Sequence, residues 1–168
     1  AVIDVDNDGY EDVFIAGGSG QDVLYRNNGD GTFTNVIDDA GFSELDTVVT
    51  QGAVSADVNK DGYTDLFVTT IASVNNDRFT AATNLLYINE GNGTFRDKTK
   101  SYGLNEVTFS TGAAFGDVNQ DGFPDLFVGN YFDKFQGRLD NYSGVLIEGQ
   151  QAPATDLIYL NNGGGSFT

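Results

Sequence analysis

The chain has 168 residues, with 25 Asp and Glu against 8 Lys and Arg, a formal net charge of −17 at pH 7, and neither Cys nor His. So acidic a chain disfavours nucleic acid and anionic membranes as partners, because both require a basic face. The lack of Cys excludes a disulfide scaffold, and the lack of His removes the commonest general base and transition-metal ligand. No apolar run approaches the roughly 20 residues that span a bilayer, so we expect no membrane insertion.

A nine-residue pattern occurs three times: DVDNDGYED at residues 4–12, DVNKDGYTD at 57–65 and DVNQDGFPD at 117–125. Positions 1, 3, 5 and 9 carry side-chain oxygens, and the glycine at position 6 permits a sharp turn. With the carbonyl of position 7, these groups form the all-oxygen ligand set that Ca²⁺ prefers. We therefore predict three Ca²⁺ sites, with ligands from Asp4, Asp6, Asp8, Tyr10 and Asp12, from Asp57, Asn59, Asp61, Tyr63 and Asp65, and from Asp117, Asn119, Asp121, Phe123 and Asp125.

Two other interpretations of these loops are weaker. An EF-hand begins in the same way but needs a bidentate glutamate at position 12 and a helix on each side. Position 12 is Ile15, Val68 or Val128 here, and the segments that start at position 9, DVFIA, DLFVT and DLFVG, are typical of buried strands. An ordinary acidic turn is the second alternative. Three copies in register argue against it.

A second motif follows each loop: VLYRNNGDGTFT at residues 23–34, LLYINEGNGTFR at 85–96 and LIYLNNGGGSFT at 157–168. Alternating apolar residues around an Asn/Gly-rich turn predict a β-hairpin. Each unit then holds four short antiparallel strands, and the units recur after 53 and 60 residues, which is typical of propeller blades. We predict an all-β fold: a β-propeller segment of three four-stranded antiparallel blades, residues 1–50, 51–110 and 111–168, with a calcium loop between strands 1 and 2 of each.

Three blades are too few to close a ring of four to eight blades. We therefore expect a segment of a longer closed propeller, in preference to a small unit that closes by oligomerising. The loops, together with Phe115-Gly116 just before the third one, resemble the FG-GAP/VCBS repeat. Residues 26–42 and 112–131 are most similar to the cartilage acidic protein/UnbV branch. The resemblance implies propeller blades like those of integrin α-subunits, fungal lectins and secreted bacterial proteins. The chain departs from the pattern by Asn at position 3 of two loops.

Specificity is expected where the units differ. The spacer between the second and third strands is longest in the third unit, at residues 131–156, and contains an aromatic and Arg mixture typical of binding surfaces: Tyr131, Phe132, Phe135, Arg138 and Tyr142. An insertion that only packs across its own blade is the alternative. Asn92 and Asn141 stand in N-glycosylation triplets and are the candidate glycosylation sites.

These features favour a calcium-stabilised extracellular module for binding or adhesion, part of a surface or matrix assembly, with a protein or glycan partner and with self-assembly as a further option. Open calcium loops of extracellular modules bind at about 10⁻⁴–10⁻³ M, which suits a location outside the cell. A carbohydrate-binding lectin propeller is the alternative. A carboxylate-dependent hydrolase is less favoured, because the sequence shows no nucleophile–base pair, and we expect no enzymatic activity.

Overall fold

The computed structural model describes residues 1–75, 78–132, 154–163 and 165–168, and of residues 73–75, 78–80 and 132 the backbone alone. Regular structure in these ranges is β-strand apart from two short 3-10 helices, Ile37–Asp39 and Leu45–Thr47. The all-β prediction is confirmed. The strands are β1 (Val2–Ile3), β2 (Asp12–Ile15), β3 (Val23–Asn27), β4 (Phe33–Asn35), β5 (Val48–Ala56), β6 (Asp65–Asn75), β7 (Arg78–Thr80), β8 (Ala82–Thr83), β9 (Leu85–Asn89), β10 (Phe95–Asp97), β11 (Val107–Gly116), β12 (Asp125–Phe132) and β13 (Leu157–Tyr159). Neither described helix has the length and apolar character that crossing a membrane requires.

The strands form three antiparallel sheets, as predicted. Sheet 1 has the order β1-β2-β3-β4, sheet 2 the order β5-β6-β9-β10 with β7 added to β6, and sheet 3 the order β8-β11-β12-β13. In each sheet a nine-residue loop joins the first two strands of the unit. Strands β5 and β11 begin at Val48 and Val107, slightly before the expected unit boundaries. The fourth strand of sheet 3 is β8, which comes from the preceding unit and pairs with the start of β11.

The sheets pack face to face through two hydrophobic cores. We call the surface that a sheet turns toward the following sheet its front face, and the opposite surface its back face. In the first core, Val5, Phe14 and Leu24 of the sheet 1 front face are buried with residues of the sheet 2 back face, among them Tyr87 and Phe95. Each buried side chain of this size contributes roughly 1.5–3 kcal/mol through removal of apolar surface from water.

The second core repeats the first with matching residues. Val58, Phe67 and Leu86 of the sheet 2 front face are buried with Leu126, Val128 and Phe167 of sheet 3. These residues stand one repeat after their counterparts in the first core, so the sequence period is also the packing period. The described part of the chain is thus a stack of three equivalent sheets joined by two equivalent interfaces.

The segments between sheets also contribute to these cores. Phe42 lies between Phe14, Tyr87 and Phe95, with ring centroids 5.7, 4.7 and 4.8 Å away. The N–H of Phe95 donates to the carbonyl of Ala40 at 2.8 Å, and the N–H of Phe167 donates to Tyr102 in the same way. Each linker therefore caps the interface between the two sheets it connects.

Candidate metal centre

The three loops have the same backbone conformation. Position 4 has a positive φ in each: 58° at Asn7, 60° at Lys60 and 60° at Gln120. The glycine at position 6 also has a positive φ, between 88° and 92° in the three copies. A Cβ added at Gly9 would contact nothing within 4 Å, so glycine is needed there for its conformation and not for space. Two left-handed residues per loop therefore give the three copies the same sharp turn.

The carboxylates at positions 1 and 5 are held by backbone N–H groups. Asp4 accepts from Asp8 N at 3.1 Å and from Gly9 N at 2.9 Å, and Asp8 accepts from Tyr10 N at 2.8 Å. The other loops repeat these bonds to within 0.1 Å. In the first loop, Asp4, Asp6 and Asp8 each bring an oxygen atom within 4.8 Å of the others. That spacing allows the three side chains to share one cation.

Position 3 distinguishes the first loop from the other two. The amide of Asn59 donates to Asp61 at 2.8 Å, and the amide of Asn119 does the same to Asp121. This bond and the N–H of Phe123, which is the larger cause, hold the pKa of Asp121 below its usual value. The carboxylate of Asp6 at the same position has no N–H to donate. Its Oδ1 is buried and has no hydrogen-bond partner within the described ranges, while its Oδ2 is 3.9 Å from the exposed Arg26 guanidinium.

The carboxylate at position 9 has a structural role that the sequence did not reveal. Asp65 is fully buried and accepts N–H bonds at 2.9 Å from both Val58, at position 2 of its loop, and Asn89, at the end of β9. Asp12 and Asp125 each accept the two equivalent backbone N–H bonds. Burial raises the pKa of Asp65 to about 7 against the opposing effect of these two N–H groups, and Asp61 and Asp57 add to the rise. Burial likewise raises the pKa of Asp12.

Because both position-9 oxygens accept backbone hydrogen bonds, this residue joins the loop to the third strand of its own sheet. The cluster of carboxylates close enough to share a cation in the first loop contains positions 1, 3 and 5 and does not include Asp12. The N–H of position 7 is bonded to position 5 in every loop. The ligand roles predicted for Asp12, Asp65 and Asp125, and for the carbonyls of Tyr10, Tyr63 and Phe123, stay predictions.

Two asparagines, Asn89 at the end of β9 and Asn161 just after β13, join neighbouring sheets. The side-chain amide of Asn89 donates to Thr64 O at 3.1 Å in its own sheet and to Val5 O at 3.2 Å in sheet 1. Asn161 repeats this arrangement with Pro124 O at 3.1 Å and Val58 O at 2.8 Å. Val5 and Val58 both occupy position 2 of a nine-residue loop. The first and second loops are thus each bonded directly to the following sheet. The sequence suggested only a hairpin turn here, although the Asn recurs in all three hairpins.

The aromatic residue at position 7 packs on the hairpin of its own sheet. A Cβ added at Gly91, where φ is 74°, would lie 2.4 Å from the Tyr63 ring. The corresponding distances are 2.8 Å at Gly29 beside Tyr10 and 2.9 Å at Gly163 beside Phe123. Glycine is therefore required at this turn position both for its backbone conformation and for the close approach of the ring. The hairpin turns thus pack against the loops.

A second set of polar contacts crosses between the sheets away from the loops. The Asp22 carboxylate, just before β3, accepts a hydrogen bond from the Thr50 hydroxyl of sheet 2 at 2.7 Å. Asn84, just before β9, donates to the Ser110 hydroxyl of sheet 3 at 2.9 Å. Thr50 and Ser110 are buried. Each interface between sheets is therefore fixed by polar contacts at two separate places.

The remaining predicted residues lie apart from the loops. Tyr131 and Phe132 belong to strand β12, and the side chain of Tyr131 is exposed. The other residues of the predicted binding loop, and the second predicted glycosylation site, lie outside the described residues: Phe135, Arg138, Tyr142 and Asn141. Both stay predictions. Asn92 is exposed at a hairpin tip, where its side-chain oxygen accepts the Thr94 hydroxyl at 2.6 Å.

A family model described as FG-GAP-like repeat matches this chain twice, at residues 4–68 and 57–128. Each match begins at position 1 of a nine-residue loop and ends in the strand that follows the next loop. Together they span well over half of the chain. The chain belongs to the FG-GAP-like repeat family. None of the curated proteins matches it. The match boundaries follow the structural repeat. Each FG-GAP-like unit consists of a loop, its sheet and the connection to the next loop, and we call the packing contact between two successive sheets a joint.

The first loop of this FG-GAP-like chain fits a divalent cation that prefers oxygen ligands. Three carboxylates converge, and the buried Asp6 Oδ1 has no donor among the described residues, which is a costly arrangement unless a cation completes it. Hard cations such as Ca²⁺ prefer this all-oxygen environment. The second and third loops share the backbone but have one amide each, so they carry less charge and are already hydrogen-bonded internally.

Proposed function

We propose that this chain is a calcium-stabilised extracellular binding or adhesion module, built as part of a β-propeller. The observation that carries the calcium assignment is the buried Asp6 Oδ1, which has no partner in the described part of the chain and lies inside a group of three converging carboxylates. The threefold repetition of the loop backbone supports two further sites of the same kind. Equivalent sheets packed in series, together with membership of the FG-GAP-like family, support the propeller and the binding or adhesion role.

The proposed ligands are the side chains of positions 1, 3, 5 and 9 and the carbonyl of position 7 in each loop. Bound Ca²⁺ would supply positive charge that neutralises the converging carboxylates. The chain's own groups already orient the ligands: backbone N–H groups fix positions 1 and 5, and position 9 joins the loop to the third strand. The loops have a structural role in this proposal, and the ligand-binding surface lies elsewhere, with the third-unit insertion as the leading candidate.

The calcium assignment is tested by Asp6→Asn, which should change stability in opposite directions with and without calcium. In EGTA the variant should melt higher than the wild type, because the new amide can donate to Asp8 as Asn59 does to Asp61, and because one of three clustered charges is removed. In calcium the first site should bind more weakly, since affinity rises with ligand charge.

Asn59→Asp is the matched control and should do the reverse, lowering the melting temperature in EGTA and strengthening the second site. For the wild type, Ca²⁺ at a hundred times its dissociation constant should stabilise the fold by about 2.7 kcal/mol per site. Melting curves and calorimetric titrations measure these effects. An unchanged wild-type midpoint between EGTA and millimolar calcium would mean that the loops are ordinary turns.

The binding role is tested separately. The calcium-loaded chain is applied to a glycan array and to plates coated with extracellular-matrix proteins, and the same assays are repeated in EGTA. Calcium-dependent retention on matrix proteins supports the adhesion module. Retention on glycans alone favours the lectin alternative. No retention on either contradicts a binding function for this segment while leaving the calcium assignment intact.

A further inference from the structure

Position 4 of the nine-residue loop holds a different residue in each copy: Asn7, Lys60 and Gln120. All three have a left-handed backbone, with φ between 58° and 60°. Asparagine tolerates this conformation better than lysine or glutamine does. Lys60 is the one residue of the three that carries a charge, and its exposed side chain extends from the second loop to the third. The charge, and not the turn, sets this residue apart.

The ammonium group of Lys60 lies on the third loop, across the joint between sheets 2 and 3. Its Nζ is 4.4 Å from the centroid of the Phe123 ring, at position 7 of that loop. It also lies 2.9 Å from the place where a Cβ added to Gly122, at position 6, would stand. A cation at this distance over an aromatic face is attracted by the ring. Lys60 therefore belongs to the second loop by sequence and contacts the third loop in space.

The first joint lacks this contact, although its loops have the same backbone. A Cβ added to Gly62, the counterpart of Gly122, would meet no atom of the described residues within 4 Å. The residue that corresponds to Lys60 at this joint is Asn7, whose shorter side chain has no charge. The chain thus contains its own comparison, because one joint has a cation over the following loop and the equivalent joint has an uncharged amide.

The Lys60 ammonium stands beside two residues whose N–H groups hold the carboxylates of the third loop. The N–H of Gly122 donates to Asp117 at 2.8 Å. The N–H of Phe123 donates to Asp121 at 2.8 Å and is the largest cause of the lowered pKa of Asp121, to which the charge of Lys60 also contributes. Both ion pairs among the described residues involve arginines, so Lys60 acts on these carboxylates through space and not by direct pairing.

We propose that Lys60 lowers the calcium affinity of the third loop and stabilises that loop when no calcium is bound. A positive charge beside carboxylates favours their ionised form, and the same charge repels a divalent cation that enters the loop. A residue outside the ligand set, on a different sheet, then determines the calcium concentration at which the third loop fills. This inference rests on the calcium assignment proposed above, and its test separates the two.

The test is an NMR titration with CaCl₂ in which one glycine amide signal reports each loop. The N–H groups of Gly9, Gly62 and Gly122 donate to the position-1 carboxylate of their own loops, so their shifts follow the occupancy of each site. Lys60→Met removes the charge and keeps an unbranched side chain on the Phe123 ring. It should lower the dissociation constant of the third loop about three- to tenfold. Lys60→Arg keeps the charge and can stack on the ring, so it should match the wild type.

Asn7→Lys is the matched variant in the opposite direction. It places an ammonium group one joint earlier, where the ring of the following loop is Tyr63, and should raise the dissociation constant of the second loop by about the same factor. Both effects should shrink between about 0.01 M and about 1 M KCl, because salt screens exposed charges. Melting in EGTA gives a measurement without calcium: Lys60→Met should melt about 1–3 °C below Lys60→Arg.

The outcomes distinguish this inference from the proposed function. Glycine signals that do not move up to about 10 mM calcium, above the range of extracellular calcium modules, overturn the calcium assignment and this inference with it. Loops that fill with calcium, but with the same third-loop dissociation constant in Lys60→Met and the wild type, overturn the inference alone. A Lys60→Met variant that strengthens the second loop and not the third also overturns it, since the charge then acts within its own loop. The same spectra show whether each variant is folded.

Discussion

Asn89 should be more important for stability than any ordinary turn residue, because it connects two sheets. Its side chain is 1% exposed and makes three hydrogen bonds, as donor to Val5 O and Thr64 O and as acceptor from Gly91 N. Asn89→Ala removes all three. It leaves a carbonyl of the first loop without a partner inside the interface, where water cannot easily replace the lost donor.

The expected cost can be worked out from these contacts. At about 1 kcal/mol for each neutral hydrogen bond, Asn89→Ala should lower the free energy of unfolding by about 3 kcal/mol. For a chain of this size that corresponds to a melting temperature lower by about 6–12 °C. Asn27 is the matched control: it makes only two of the bonds, to Glu11 O and from Gly29 N, both at exposed positions. Asn27→Ala should cost about 1 kcal/mol, or 2–4 °C.

Both variants are measured by urea denaturation and thermal melting in millimolar calcium, so that the state of the loops is the same. Asn161→Ala should behave like Asn89→Ala, because its amide makes the shorter contact with Val58 O, at 2.8 Å. The reasoning is refuted if Asn27→Ala is as destabilising as the other two. That result would mean that the asparagine stabilises only its own hairpin and that the bond between sheets adds nothing.

Two further predictions concern the loops. Gly91→Ala should destabilise the fold by about 2–4 kcal/mol, because its φ is positive and the added Cβ clashes with Tyr63. Gly93→Ala, at a φ of 82° with no close neighbour, should cost only about 1 kcal/mol. Equal costs of the two variants in urea denaturation would exclude the clash. In EGTA, the stability contributed by protonated Asp65 should be complete below about pH 4 and lost as the pH rises through about 7, by a few kcal/mol at most. The Asp65→Asn side chain cannot ionise, so the melting temperature of this variant should fall less over the same pH range. Parallel curves of melting temperature against pH for the variant and the wild type would contradict the assignment of this pH dependence to Asp65.

The sequence predicted the local features of this fold well. The nine-residue pattern located the three loops, since their glycines and carboxylates are needed at fixed offsets whatever surrounds them. The Asn/Gly-rich segments located the hairpins for the same reason. Period-two alternation then identified the strands, and the spacing of the loops identified three equivalent sheets.

Features that depend on distant contacts could not be predicted in this way. Strands β7 and β8 form in a spacer, and β8 pairs with β11 because sheet 3 lies beside it, not because Ala82-Thr83 has a strong preference for a strand. The two roles of Asn89 were hidden because asparagine is also a common turn residue. One signal was present: the asparagine recurs at this point in all three hairpins, while the next residue is Asn28, Glu90 or Asn162.

The position-2 valine shows why the loops lie where they do. Val5 stands between two candidate ligands, Asp4 and Asp6. Its N–H donates to Asp12 in its own sheet, and its carbonyl accepts from Asn89 in the next one. Any group that holds positions 1 and 3 in place also holds this peptide segment, and so fixes the carbonyl on which the following sheet docks. It follows that cation binding at the loop would act on the joint between sheets and not only on the turn within one. A repeat protein whose sheets contact only their neighbours depends on such joints for its continuity. The acidic loop at the same place in every unit is accounted for on this basis.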